Sequence, residues 1–280
     1  MSSGRGKTVW IASYPKSGNT WLRAVYTALC TGAEPDINSL DGGDLAADRL
    51  AFDVALGIRS SDLSLGEIDA LRPRAEETAQ AALNRDRWRK IHDALLPGPS
   101  GELIVSVEAT RCALYMIRDP RDVAVSLASH GDWDLKKAAR CLASDATSGS
   151  TEREVGEQLR QRVGTWSSHV RSWADQDYFP VHVIRYEDCV ADPVATFYGA
   201  FRFGGLDVSE EDVSRAVSAC SFDRLRDQET RYGFREVESL TNPVFRRGPA
   251  GSWKKELPSD LATQILKQHV GLMARFGYGD

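Results

Sequence analysis

A lysine, two hydroxyl residues, an amide and a glycine stand together in Tyr14-Pro15-Lys16-Ser17-Gly18-Asn19-Thr20-Trp21. Before them, residues 9–13 (VWIAS) form a continuous apolar run that reads as a buried strand. After them, Trp21, Leu22, Val25, Tyr26 and Leu29 recur at helical spacing over 19–29. In a strand–turn–helix the first backbone N–H groups of the helix lack intrahelical partners, and the helix dipole adds positive potential there. That makes an anion site, to which Lys16 adds a mobile charge and Ser17, Asn19 and Thr20 add short donors. The order is not that of a Walker loop, G-x-x-x-x-G-K-[ST], because Lys16 precedes Gly18 instead of following a second glycine. The triplet Gly6-Lys7-Thr8 does not qualify either: it lies before the strand, and its partner glycine would fall at Met1.

Two further segments carry cations in places that matter. In Ile117-Arg118-Asp119-Pro120-Arg121-Asp122-Val123-Ala124-Val125-Ser126, the apolar run 113–117 reads as a strand with Arg118 at its carboxyl end. There a guanidinium can present its rigid fork to a second phosphate. Asp119-Pro120 supplies an N-cap and a first-turn proline, and Ser126, about two turns on, can face the same crevice. Arg121 and Asp122 are expected to be surface or capping residues. The third segment, Phe245-Arg246-Arg247-Gly248-Pro249-Ala250-Gly251-Ser252-Trp253-Lys254, reads as a loop able to fold over an anion.

These segments need a frame. The strand–turn–helix grammar recurs at 182–186, where Asp192-Pro193 opens a helix that Gly204-Gly205 stops. Three such units predict an α/β fold, a single domain with a central parallel sheet flanked by helices. The turns after Ser13, Ile117 and Tyr186 should then share one crevice at the carboxyl ends of the strands. Helices are expected over 65–83 and 209–219, the latter opened by a Ser209-x-x-Asp212 box, and a core-facing stripe (Val163, Trp166, Val170, Trp173) over 160–173. Residues 144–153, small and polar, read as a mobile surface loop.

With 280 residues, 42% hydrophobic and 27% charged, the chain can bury a sizeable core without disulfides or structural metal. A net charge of −5 argues against a general nucleic-acid partner but leaves room for locally focused cations. The five cysteines, odd in number and widely spaced, read as buried free thiols of a reducing compartment. No apolar run approaches a membrane span, and Lys16 interrupts before a signal-peptide core develops, so a cytoplasmic protein is expected. No His, Cys or carboxylate cluster has metal-ligand spacing, and oligomeric state is not readable.

Together the three segments resemble the sulfotransferases that use 3′-phosphoadenosine 5′-phosphosulfate (PAPS). YPKSGNTW is similar to their 5′-phosphosulfate loop, RDPRDVAVS to their 3′-phosphate motif and RRGPAGSWK to their C-terminal lid, a resemblance running from about Val9 to Trp253. It implies that Lys16, Ser17, Gly18, Asn19 and Thr20 hold the phosphosulfate. It likewise implies that Arg118, Ser126, Arg246, Arg247 and the Gly248 backbone hold the 3′-phosphate, and that Trp21 and Phe222 sandwich the adenine with Tyr186 at its edge. Of the five histidines, His92 in Arg89-Lys90-Ile91-His92-Asp93 resembles the family's K-x-H base, with Lys16 on the leaving oxygen and Lys90 near the transferring group. The implied product is adenosine 3′,5′-bisphosphate (PAP), the implied acceptor a hydroxyl of a small or medium molecule such as a secondary metabolite, with no metal. Segments 31–86 and 131–157 match the family weakly and are expected to form the acceptor side. Two other readings are an ATP-dependent small-molecule kinase, against which the lysine order stands, and a non-catalytic nucleotide-binding relative, against which Lys16 and His92 stand.

Overall fold

The computed structural model describes residues 6–42, 44–98, 101–145, 147–148, 156–236, 243–246 and 248–279. Its elements follow in the order β1 (Thr8–Ser13), α1 (Asn19–Thr31), α2 (Arg49–Leu56), α3 (Leu65–Ala81), β2 (Arg87–Ile91), β3 (Thr110–Ile117), α4 (Pro120–His130) and α5 (Leu135–Ala143). Then come β4 (Thr147–Ser148), β5 (Gln161–Arg162), α6 (Trp166–Ala174), β6 (Val181–Arg185), α7 (Tyr186–Ala191), α8 (Pro193–Phe203), α9 (Glu210–Ala219), α10 (Phe222–Tyr232), α11 (Trp253–Glu256) and α12 (Ser259–Arg275).

β2, β1, β3 and β6 lie side by side in that order, all parallel, while β4 and β5 form a separate antiparallel pair. Strand alternation sends two apolar sets to opposite faces. Trp10, Ala12, Ala113, Tyr115 and Ile117 meet residues of α4, α5, α6 and α12 on one face. Val9, Ile11, Leu114, Met116 and Ile184 meet residues of α1, α8 and α9 on the other. Burial on both faces is why the central strands β1 and β3 read as apolar runs.

The three expected units are present and capped as read. Asp119 accepts from the Arg121 N–H at 2.9 Å, Asp192 from the Ala195 N–H at 3.1 Å, and Ser209 and Asp212 form a reciprocal box. Four expectations need correction. The sheet has a fourth strand, β2, whose sequence RWRKI conceals it: Arg87 and Arg89 share the buried carboxylate of Glu76 of α3, and the Arg89 Nη2 donates to the Leu45 carbonyl at 2.9 Å. The tryptophan stripe starts its helix only at Trp166, with Thr165 as N-cap; Val163 is buried ahead of it, and 161–162 belong to β5. Within 144–153, Thr147 and Ser148 form β4, while 146 and 149–153 lie outside the described residues. Cys112, Cys189 and Cys220 are buried, but Cys30 is exposed and Cys141 half-buried. Among the described residues no helix is long and apolar enough to cross a membrane.

Candidate active site

The loop after β1 is built by two left-handed residues. Lys16 has φ 70° and Gly18 φ 103°. The first is uncommon for a residue with a side chain and marks a conformation held for a purpose. At Gly18 a Cβ would stand 2.7 Å from Cδ2 of Tyr186, so the loop passes too close to that ring for anything but glycine. The Gly18 carbonyl takes the N–H groups of Trp21 (3.0 Å) and Leu22 (3.3 Å), leaving those of Asn19 and Thr20 as the helix-end donors. Asn19 departs in part from its expected role. Its side chain turns inward, donating to the Ile11 carbonyl at 3.0 Å and to Ser13 Oγ at 3.3 Å, so it ties the loop to the strand. Ser17 Oγ, fully buried, has no hydrogen-bond partner among the described residues. A donor hydroxyl orphaned beneath a cationic loop fits a bound oxyanion.

Burial lowers the Lys16 ammonium from 10.5 to about 8, and Lys90 and Arg118 push it the same way against Glu229. Cations crowded this closely, with burial outweighing the nearby carboxylates, are the signature of a site that expects an anion. Arg118 lies 4.2 Å from the centroid of the Tyr186 ring, its Nη1 3.4 Å from the Lys16 carbonyl, and its buried Nε has no hydrogen-bond partner among the described residues. Ser126 of α4 lines the same crevice.

The C-terminal loop closes over this end. The Tyr186 hydroxyl donates to the Gly248 carbonyl, and a Cβ on Gly248 would stand 2.8 Å from Cδ2 of Phe222. The Trp21 indole donates to the Cys220 carbonyl at 3.1 Å, which fixes the segment leading to Phe222. Arg246 lines the crevice and donates to Glu256 at 2.8 Å; Arg247 lies outside the described residues. Arg121 and Asp122 are corrected here. Both are buried, and Asp122 accepts from the Gly251 N–H (2.7 Å), Ser252 Oγ (3.0 Å) and the Trp253 N–H (2.9 Å). Arg121 lies over the Trp253 ring at 3.7 Å and pairs with Asp119 at 2.8 Å. The lid is thus anchored by a residue that sequence reading left on the surface.

At the far side of the Lys16 loop stands His92, just past β2. Its Nδ1 is 2.8 Å from the Ser13 carbonyl, which can only accept, so Nδ1 carries the proton and Nε2 keeps the lone pair. Burial, and next the Lys90 charge, lower its pKa to about 3, so the ring is neutral. The backbone under it is pinned by buried groups. Tyr115 donates to His169 Nδ1 (2.9 Å), whose Nε2–H donates to the His92 carbonyl (3.2 Å). Trp173 donates to the Asp93 carbonyl (3.0 Å), and Arg72 grips the Asp93 carboxylate with two bonds (3.1 and 2.7 Å). Lys90 reaches Glu236 at 2.8 Å.

Lys16, Lys90, His92, Arg118, Tyr186 and Gly248 line one crevice of about 780 Å³, while the buried groups that pin the backbone under His92 lie behind its wall. The turns after Ser13 and Ile117, together with Tyr186 just past β6, converge there as the topology requires. Sequence reading missed Glu236, Asp122 and His130, which is the last residue of α4 and faces the crevice with Trp133. Segment 131–157 contributes Trp133, Cys141, Thr147 and Ser148, but no described residue of 31–86 lines the crevice. Instead α3 backs β2 through Glu76.

The family model described as the sulfotransferase domain matches residues 7–277. The chain belongs to the sulfotransferase family. It is 28% identical over 269 residues to sulfotransferase 1E1 of Cavia porcellus, covering 92% of this chain and 80% of that one. Against cytosolic sulfotransferase 17 of Arabidopsis thaliana it is 23% identical over 275 residues, covering 93% and 72%. Among solved structures, mouse sulfotransferase SULT7A1 complexed with PAP shares the fold at TM-score 0.60 and 19% identity, covering 97% of this chain and 86% of that one. Retinol dehydratase in complex with androsterone and inactive cofactor PAP does so at TM-score 0.61 and 18% identity, covering 95% and 80%. The chain is therefore an enzyme of sulfuryl transfer, and the kinase reading falls.

Proposed function

We propose that this sulfotransferase binds PAPS with Lys16, Ser17, Gly18 and Thr20 on the phosphosulfate, Arg118, Ser126, Arg246, Arg247 and Gly248 on the 3′-phosphate, and Trp21, Phe222 and Tyr186 around the adenine. Asn19 contributes its backbone N–H, since its amide is spent on β1. PAPS supplies the sulfuryl group. His92 Nε2 takes the proton of the acceptor hydroxyl, Lys16 stabilises negative charge on the departing oxygen, and Lys90 steadies the oxygens in transit. Side-chain cations supply the positive charge, and no metal ligand set enters the proposal.

One observation carries this reading. The bond from His92 Nδ1–H to the Ser13 carbonyl leaves Nε2 as the basic nitrogen, and Ser13 is the last residue of the strand that ends in the Lys16 loop. Base and leaving-group cation are thereby fixed to one piece of backbone, as an in-line displacement between them requires. The acceptor is a small or medium hydroxyl compound with an apolar body, because Leu127, Trp133, Val163 and Phe234 give the crevice apolar wall beyond its cations. Retinol and androsterone, named with the retinol dehydratase structures, are of this kind. A cytoplasmic location accords with the cytosolic relatives.

The test incubates the protein with PAPS and a metabolite pool and seeks mass gains of one sulfo group. His92→Ala should lower kcat by at least about a hundredfold while calorimetry shows PAP binding nearly unchanged. Substantial turnover in that variant would remove His92 as the base.

A further inference from the structure

Glu236 contributes a carboxylate to the crevice that Lys16, Lys90, Arg118 and Arg246 also line. Two cations engage it at once, Lys90 from the crevice and the buried Arg23. Lys90 Nζ lies 2.8 Å from Glu236 Oε2, while Arg23 Nη1 and Nη2 lie 3.0 and 2.7 Å from Oε2 and Oε1. The three groups come from separate elements: Arg23 from α1, directly behind the phosphosulfate loop, Lys90 from β2, and Glu236 from the segment after α10. Arg23 is 1% exposed, whereas Lys90 and Glu236 are 16% and 33% exposed.

We infer that Glu236 is a positioning residue, whose carboxylate, braced by the buried Arg23, holds the Lys90 ammonium at the reaction centre. This rests on the reading of Lys90 given above. A carboxylate alone beside Lys90 would repel the donor's phosphates. Arg23 removes that difficulty, because its two bonds offset the Glu236 charge and the cluster presents a net positive end at Lys90. The bidentate grip also fixes the direction of the carboxylate, which a single bond would leave free to swing. Without Glu236, Arg23 and Lys90 would face each other as like charges, and the flexible lysine would be the one to move. A surface ion pair contributes little; this one differs because the arginine is buried and the lysine next but one to the base. Glu236 touches no reacting atom in this scheme and acts through Lys90 alone.

The test is a double-mutant cycle. Glu236→Gln, which keeps the shape, should lower kcat about tenfold, measured with the acceptor that the wild type sulfates, while KM for PAPS stays within about twofold. In a Lys90→Ala background the same substitution should change kcat by less than about twofold. An equal loss in both backgrounds would show that Glu236 acts without Lys90 and overturn the inference. A second measurement needs no activity. Brief labelling with acetic anhydride, read peptide by peptide by mass spectrometry, should modify Lys90 severalfold faster in Glu236→Gln than in the wild type. PAP binding serves as the check on folding. Unchanged Lys90 labelling would overturn the inference even if the wild type transferred no sulfuryl group, the outcome that would instead defeat the function proposed above.

Discussion

Lys16 joins three unfavourable conditions in one residue: a left-handed backbone, a buried ammonium, and like charges on Lys90 and Arg118. Each costs folding free energy, and an anion in the crevice relieves the last two. The consequence is kinetic. The apparent second-order constant kcat/KM reports groups of the free enzyme. If Lys16 must be protonated to meet the donor, and its folded pKa is lowered from 10.5 to about 8, kcat/KM for PAPS should fall above about pH 8. An ordinary lysine would postpone that fall by more than two pH units. His92, held near 3, adds no loss on the acid side down to about pH 5. A pH series of initial rates checks both limbs, with Lys90→Ala as the control because Lys90 is also lowered by burial. A profile flat to pH 10 would remove Lys16 from donor recognition. The motif YPKSGNTW marked this site in the sequence; the strain at residue 16 and the inward turn of Asn19 are tertiary facts that no spacing encodes.

At the scale of elements, the lid depends on α4. Asp122 takes three donors from residues 251–253, and Arg121 stacks on Trp253, so the loop bearing Arg246 and Gly248 hangs from the helix that also carries Ser126. Both halves of the proposed 3′-phosphate site are thus referred to one rigid body. Asp122→Ala should strand three donors and loosen the lid, raising the PAP dissociation constant by about tenfold or more. Calorimetry reads this directly, and unchanged affinity would show that the lid is held elsewhere. Sequence patterns revealed β1 and β3 because their two-sided burial forces continuous apolar runs, and β6, only partly buried at the sheet edge, through the strand–turn–helix grammar that follows it. They hid β2, whose arginines are accommodated by the shared Glu76 carboxylate of α3 and the Leu45 carbonyl. The same limit misplaced Arg121 and Asp122: a charged first turn looks solvated until a partner distant in sequence covers it. His92 was found by resemblance, since its strand had no legible pattern of its own.

The whole molecule keeps uncharged imidazoles in its interior. His169 is fully buried between Tyr115 and the His92 carbonyl, and His269 is buried against Ser167 and Trp166; burial lowers both from 6.5 to about 4. The sign of the linkage follows. Below pH 6.5 the unfolded chain binds protons at these two residues that the folded chain refuses, so unfolding gains free energy as the pH falls, down to about pH 4. Between pH 7 and pH 5 the pair should remove on the order of 4 kcal/mol of stability. Asp119 and Glu187, whose carboxyls burial raises, bind protons more readily when folded and oppose the trend. The slope therefore has to be isolated. Urea unfolding of the wild type and of His169→Gln, which retains an amide to bond Tyr115 and the His92 carbonyl, should show curves of stability against pH that diverge toward neutrality. Wild type should lose the larger amount on acidification, by about half of the pair's total. Parallel curves would mean that His169 binds its proton as readily in the folded state as in the unfolded chain, with Nδ1–H then donating to the Tyr115 hydroxyl while Nε2–H stays on the His92 carbonyl. The acid stability slope and the placement of the base therefore test the same hydrogen-bond chain from opposite ends.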